Sequence, residues 1–228
     1  AGQAVSKIFE AAIVPLIIEI LDKTTLKAVN EFKKLGLPEV AALLIVDVDG
    51  TDEECKKLAG RLESLLGELG AQGVRRAVDK KEMEELMAAR KAAYPALCRV
   101  KTTTIMEDIA VPVSLLPTAL KKIGEASEKH GIIVGAFGHA GDGNIHPIIC
   151  TDVRDREEWS RAMACINDIR AAALELGGTV SGEHGIGVTK APFLKREHGK
   201  KSVEVMKKIK NALDPTGIMN PGKMFVGK

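Results

Sequence analysis

The 228-residue sequence is 45% hydrophobic and carries 33 Lys and Arg against 31 Asp and Glu, a formal charge of +2. That length and apolar content suffice for a buried core in one large domain or two small lobes, so the chain reads as a soluble globular protein. The near-neutral charge and an aromatic content of 3% exclude a broad basic field or a base-stacking surface for nucleic acid.

Taken in chain order, residues 3–12 and 19–35 have helical apolar spacing, the second stretch ending at Gly36 with Pro38 beyond it. The most apolar early stretch, Ile13 to Leu21, is short and contains Pro15 and Glu19, which excludes a transmembrane segment and a signal peptide there. The chain starts Ala-Gly-Gln, without an initiator Met and already in a helical pattern, which predicts a piece cut from a longer protein. Val40 to Val48 is a continuous apolar, β-branched run and predicts a buried strand; Asp49-Gly50 turns it, and Thr51 caps a helix from Asp52 to about Leu69. A short strand is expected over Gly73 to Val78, then a charged amphipathic helix from Lys80 to Ala93, halted near Pro95. Ile105 to Val113 reads as a strand, Leu116 to Lys129 as a helix, and Gly131 to Phe137 and Asn144 to Cys150 as two strands around a glycine-rich turn. Arg156 to Leu176 is the longest helix, closed by Gly177-Gly178; a short strand over Thr179 to Ser181 and polar helices over Thr189 to Leu213 complete the chain.

This order predicts an α+β fold: a ferredoxin-like antiparallel sheet with helices on one face and a C-terminal helical tail. The alternation also suits a duplicated unit, although no sequence repeat proves one. The expected division is an N-terminal helical segment over 1–38, a ferredoxin-like substrate or cap domain over 39–188, and C-terminal helices and tail over 189–228. Cys55, Cys98, Cys150 and Cys165 lie far apart with no C-x-x-C pair, which fits reduced, mostly buried thiols in a cytosolic protein rather than a zinc or iron–sulfur site.

Three segments carry chemistry. In Gly138-His139-Ala140-Gly141-Asp142-Gly143-Asn144-Ile145-His146, glycines permit close backbone approaches while two histidines bracket the turn. If the turn folds its strands together, His139 and His146 can face one point, as ligands for zinc, manganese, iron or cobalt. In Ser181-Gly182-Glu183-His184-Gly185-Ile186-Gly187, Glu183 can complete a two-His-one-carboxylate site and His184 can act as a base beside it. The competing reading of both segments is a pair of glycine turns whose histidines are structural. His130 and His198 read as solvated or hydrogen-bonded residues only. The third segment, Leu213 to Lys223, is a helix stop followed by a tail stiffened by Pro215, Gly217, Pro221 and Gly222, suited to crossing back onto a neighbouring domain.

The strings G-H-A-G-D-G-N-x-H, S-G-E-H-G-I-G and D-P-x-G-I-M-N-P-G-K, together with Ala88-Ala89-Arg90-Lys91 and the Asp108-to-Pro112 stretch, closely resemble one family. It is the C-terminal domain of FAD-linked oxidases of the vanillyl-alcohol-oxidase type, in the branch of glycolate oxidase D-subunits, D-lactate dehydrogenases and D-2-hydroxyglutarate dehydrogenases. The resemblance implies oxidation of a D-2-hydroxy acid to its 2-oxo acid, with hydride transfer to FAD held mainly by a missing N-terminal domain. It implies a divalent zinc, manganese or iron ion on His139, His146 and Glu183, with His184 as general base. Arg90 would bind the substrate carboxylate, Asn144 would sit beside substrate or flavin, and Asn220 and Lys223 would lie in a tail returning to the flavin domain. Some relatives have a Lys just ahead of the Asp108 strand and a hydroxyl residue four positions after the Arg; here Met106 and Tyr94 stand there. A distal carboxylate on the substrate is then poorly served, unless by Lys101, which favours lactate or glycolate. The electron acceptor would be a quinone, an electron-transfer protein or an iron–sulfur subunit, placing the protein in the cytoplasm or peripherally on a membrane through that partner. No strand–G-x-G-x-x-G–helix fingerprint is present, so the chain alone is expected to be colourless and inactive. The alternatives are a stand-alone metallohydrolase using the same His and Glu residues, and a non-catalytic module for metal binding or association.

Overall fold

The computed structural model describes residues 1–225. After helix α1 (Gly2–Glu10) the chain enters strand β1 (Ile17–Asp22), where a helix is expected from residue 19. Ile18, Glu19, Ile20 and Leu21 are all buried, two on each face of a strand. A two-residue period lets a central strand bury both faces, and this override of the helical spacing comes from strands pairing on each side. Helix α2 (Lys23–Lys33) begins only after Asp22, whose carboxylate accepts from the Thr25 N–H at 2.8 Å and caps it.

Strand β2 (Ala42–Asp47) pairs antiparallel with β1, Ile20 opposite Leu44. That pairing crosses the boundary expected at residue 38: residues 1–38 supply a central strand of the sheet and are not a helical preface to it. Helix α3 (Asp52–Glu68) opens with a reciprocal capping box between Thr51 and Glu54. The strand expected over 73–78 does not form; Val78 is 80% exposed and no strand among the described residues pairs with this stretch. Helix α4 (Lys80–Leu97) continues past Pro95, the expected stop. Ala92, Ala93, Ala96 and Leu97 are buried while Pro95 faces solvent, so packing holds the last turn despite the missing N–H.

Strands β3 (Thr103–Met106) and β4 (Ile109–Ala110) replace the single strand expected over 105–113, and the break falls at two buried acids, Glu107 and Asp108. Helix α5 (Leu116–His130), strands β5 (Ile133–His139) and β6 (Asn144–Thr151) and helix α6 (Arg156–Glu175) follow the expected pattern closely. In place of a strand at 179–181 there is one bridge, Thr179 to Ala110. Helix α7 (Leu194–Leu213) is broken by a kink at Gly199, whose φ is 78°.

The sheet runs β2-β1-β5-β6-β3, with β4 pairing onto β6, and every pairing is antiparallel. The α+β class and the antiparallel sheet are as expected, but helices cover both faces of the sheet, not one. Ile18, Ile20, Val134, Ala136, Ile145 and Ile149 pack with α1, α3, α5 and α6. Leu21, Phe137, Ile148 and Cys150 pack with α2 and α4 on the other side. All four cysteines are free thiols, and burial pushes Cys150 up to about 12 and Cys165 up to about 11. Among the described residues no helix is long and apolar enough to cross a membrane.

Two glycines separate necessity from tolerance. A Cβ on Gly138 would fall 2.4 Å from the Asn144 carbonyl oxygen, inside the β5–β6 hairpin. Gly138→Ala is expected to destabilise the chain by about 1–3 kcal/mol or more, whereas Gly60→Ala, in α3 with open space around it, is expected to stabilise by roughly 0.5–1 kcal/mol. Chemical denaturation of the two variants measures both signs.

Candidate functional site

The site is built on the α2–α4 side of the sheet. In the β5–β6 register Phe137 lies opposite His146, and in the β1–β5 register Glu19 lies opposite His139 and Leu21 opposite Phe137. Period two therefore places Glu19, Phe137, His139 and His146 on one face. The turn between the strands is closed by Gly143, whose φ of 71° and approach to the Val111 carbonyl leave no room for a side chain.

A second loop, residues 181–187, descends on these strands. It is anchored by Asp108, a fully buried acid at the β3–β4 break. One oxygen, Oδ2, accepts from the Ser181 hydroxyl at 3.1 Å, the Glu183 N–H at 3.0 Å and the His184 N–H at 2.8 Å. Burial pushes the Asp108 carboxyl up, yet the two N–H donors and the charge of Lys190, 3.5 Å away, hold it below the usual carboxylate range. Gly182 allows the approach, since a Cβ there would meet the Asn144 amide at 2.6 Å.

The loop brings Glu183 and His184 over the two strand histidines. Glu183 Oε1 lies 3.6 Å from His139 Nε2, 3.4 Å from His146 Nε2 and 3.7 Å from His184 Nε2. The rings of His146 and His184 stack at 5.0 Å with planes 6° apart, while His139 meets His146 edge-on at 5.5 Å. Exposure is graded: the side chain of His146 is 4% exposed, that of His139 35% and that of His184 40%, so the cluster has a sealed floor and an open mouth. Burial is the main cause that pulls the His146 imidazole down to about 4.

Two imidazoles and a carboxylate are a donor set that suits a borderline divalent cation, and His139, His146 and Glu183 offer ligand atoms within 4.8 Å of one another. His146 is neutral at physiological pH, as a ligand must be. Three buried polar atoms at the site, Asp108 Oδ1, Asn144 Oδ1 and His146 Nδ1, have no hydrogen-bond partner among the described residues. Asp108 Oδ1 stands 3.7 Å from His146 Nδ1, beyond hydrogen-bond range but on the side of the ring away from Glu183. That is the placement of a carboxylate backing a metal-binding imidazole. The residues present fit a metal.

Of the side chains singled out from sequence, His139, His146, Glu183, His184 and Asn144 meet here, and Arg90 joins them from α4. Arg90 Nε donates to Glu19 Oε2 at 2.6 Å, and the guanidinium lies over the Phe137 ring at 4.6 Å. Asn220 and Lys223 are exposed, and no hydrogen bond or ion pair among the described residues joins their side chains to the histidine cluster. Their tail nevertheless reaches the same loop, for the Met224 N–H donates to the Gly187 carbonyl at 2.7 Å. His130 pairs with Asp168 and His198 with Glu197, both outside the cluster. Lys101 pairs with Glu158 and Tyr94 is 41% exposed. Sequence reasoning passed over Glu19 and Asp108 as site residues; the signal for Glu19 is a lone acid inside the apolar run Ile17 to Leu21.

Residues 1–224 match the family model described as FAD linked oxidases, C-terminal domain, and the chain belongs to that family. Among curated relatives, the glycolate oxidase subunit GlcD of Bacillus subtilis is 41% identical over 99% of this chain and 48% of its own length. GlcD of Escherichia coli strain K12 is 34% identical over 98% of the chain and 45% of its own length. A probable mitochondrial D-lactate dehydrogenase of Danio rerio is 31% identical over 96% and 44%. The chain thus spans about half the length of the curated relatives it matches. Among solved structures, substrate-bound p-cresol methylhydroxylase shares the fold with a TM-score of 0.72 at 16% identity, over 98% of this chain and 49% of that one. The 4-ethylphenol oxidase of Gulosibacter chungangensis does so with a TM-score of 0.61 at 17% identity, over 92% and 47%.

The depressed His146 has a consequence for stability. Its ordinary value is 6.5 and its folded value about 4, so between these the unfolded chain binds a proton that the folded chain excludes. Stability is untouched by this group above pH 6.5 and falls as pH drops from 6.5 toward 4. In metal-free protein, His146→Gln is expected to flatten that part of the stability profile by on the order of 1–3 kcal/mol. Denaturation curves across this range test it; identical slopes for the two proteins would show that His146 does not carry the effect.

Proposed function

We propose that this chain is the substrate- and metal-binding half of a flavin-dependent dehydrogenase that oxidises a small D-2-hydroxy acid, lactate or glycolate, to the 2-oxo acid. The observation that carries this reading is the convergence of three imidazole Nε2 atoms on Glu183, with the Arg90 guanidinium held beside them through Glu19. The names of the relatives, glycolate oxidase subunit and D-lactate dehydrogenase, supply the substrate class.

Arg90 binds the substrate carboxylate. Its Nε is taken by Glu19 and its face by Phe137, which leaves the two terminal amino groups as a planar fork for two parallel hydrogen bonds. That contact fixes which face of C2 is presented for reaction. His184 takes the hydroxyl proton; its ring stacks on the buried His146, which limits its tilt, and its own 40% exposure lets the proton pass on to solvent. Asn144, buried with an unpartnered Oδ1, offers a further polar contact at the same place. A divalent zinc, manganese or iron ion on His139, His146 and Glu183 would supply Lewis-acid polarisation of the hydroxyl, and FAD held by the rest of the protein would supply the acceptor for the C2 hydride. The tail with Asn220 and Lys223, tied to the site loop through Met224, is the segment we assign to the flavin side. Lys101, the cation that could have held a second carboxylate, is engaged by Glu158, which favours lactate and glycolate over larger diacids. We assign the onward acceptor to a separate redox partner, for which an iron–sulfur subunit suits a relative named as one subunit of an oxidase.

In the flavin-loaded holoenzyme, His184→Asn is expected to lower kcat by roughly 10²–10⁴ with flavin retained, and Arg90→Lys to act mainly on KM for the hydroxy acid. Steady-state kinetics with an artificial dye acceptor read both. Metal analysis of His139→Ala and Glu183→Ala completes the test: unchanged metal content in both variants, or ester hydrolysis without flavin, would sink the proposal.

A further inference from the structure

Glu19 lies under the site and takes no direct part in the chemistry proposed above, yet it touches both of that chemistry's anchors. Its side chain is 6% exposed. Oε1 is 2.7 Å from His139 Nδ1, and Oε2 is 2.6 Å from Arg90 Nε. We propose that Glu19 is a positioning residue that sets the tautomer of His139 and the plane of Arg90 together, so that one buried carboxylate holds the metal ligand and the substrate anchor in register. This rests on the function proposed above.

The physical chain is short. An ionised carboxylate has only acceptors, so a hydrogen bond from Oε1 requires the proton of neutral His139 to be on Nδ1. The lone pair is then on Nε2, the atom that faces Glu183 at 3.6 Å. The same reasoning applies on the other side, where Arg90 Nε must donate and its plane is pinned between Oε2 and the Phe137 ring. The sheet enforces the geometry, because Glu19 and His139 are directly opposed across β1 and β5. The charge of Glu19 is offset by the guanidinium, without which a carboxylate so deeply buried would be costly. His146 has a looser arrangement, with Asp108 Oδ1 at 3.7 Å, so His139 is the ligand whose tautomer is already fixed in the metal-free protein.

Nitrogen-15 NMR of the histidine rings in metal-free protein, at a pH where His139 is neutral, reads the tautomer directly. Wild type is expected to carry the proton on Nδ1. Glu19→Gln offers one acceptor and one donor; with the acceptor kept by Arg90, the amide donates to Nδ1 and moves the ring proton to Nε2. Zn²⁺ affinity, measured by competition with a chelating dye, is then expected to fall roughly 10- to 100-fold. A merely structural ion pair would lower stability without moving the tautomer. Wild-type His139 protonated on Nε2 overturns the proposal, and so does a Glu19→Gln protein with unchanged tautomer and unchanged Zn²⁺ affinity. If Glu19→Gln does not fold, the wild-type spectrum alone decides. His139→Ala is the separate control: undiminished Zn²⁺ binding there overturns the metal reading of the site, while the tautomer still judges Glu19.

Discussion

A loop rich in glycine has no reason of its own to hold a glutamate and a histidine in fixed positions, and here the constraint comes from outside it. Asp108, buried where β3 gives way to β4, collects the Ser181 hydroxyl and the N–H groups of Glu183 and His184 on one oxygen. The carboxylate remains ionised in this place because it is supported from behind. Lys190 lies 3.5 Å away, and the adjacent Glu107 is locked to Arg170 by two hydrogen bonds at 2.7 and 2.8 Å. Removing one member of such a buried charge group leaves the others uncompensated, typically at about 3–5 kcal/mol. The positions of Glu183 and His184 therefore depend on a buried ionic cluster that lies outside their own loop. The break in the strand at Glu107 and Asp108 is what lets both acids point into protein.

The two faces of the sheet divide the labour. One, packed by α1, α3, α5 and α6, is a hydrophobic core of aliphatic side chains and the buried thiol of Cys165. The other is apolar along most of its length but ends in Glu19, His139 and His146, and α4 runs along it so that Ala89, Ala92 and Ala93 pack while Arg90 reaches the polar end. Small alanines permit the helix to lie close, and the guanidinium then needs little length to meet Glu19. Site and core are two ends of one surface, which is why the histidines are rigidly held although the loop opposite them is half exposed.

Much of this was legible in the residues. The strings around His139, His146, Glu183 and His184 hold the side chains that the structure brings together, and Arg90 lies beside them through Glu19. Strands and helices from α5 to α6 were readable because each has a clean period and a proper stop. β1 was not, because Leu21, Leu26 and Val29 continue the helical spacing of α2 backwards into a segment whose strand partners come from elsewhere in the chain. With β1 misread, Glu19 could not be placed opposite His139, and its role was invisible. Asp108 was hidden for a similar reason: its importance lies in a loop more than 70 residues further on. The expected strand at 73–78 failed in the opposite way, with suitable residues but no partner. Helix α4 outlasted Pro95 because tertiary packing outweighed a local rule.

The position of β1 also shapes how the chain must assemble. Its pairing with β2 is local and can form early, but its other edge waits for β5, with Glu19 and His139 separated by 120 residues in sequence. Until β5 has been made, that edge is an open row of backbone donors and acceptors flanked by isoleucines, a template for pairing with the wrong strand. Closing so long a loop is entropically slow, and it completes the sheet and brings Glu19 to His139 in the same event. The β1–α2–β2 unit is therefore the segment most open to mispairing before β5 is in place, and the local β5–β6 hairpin can bring His139 and His146 together before Glu19 reaches them.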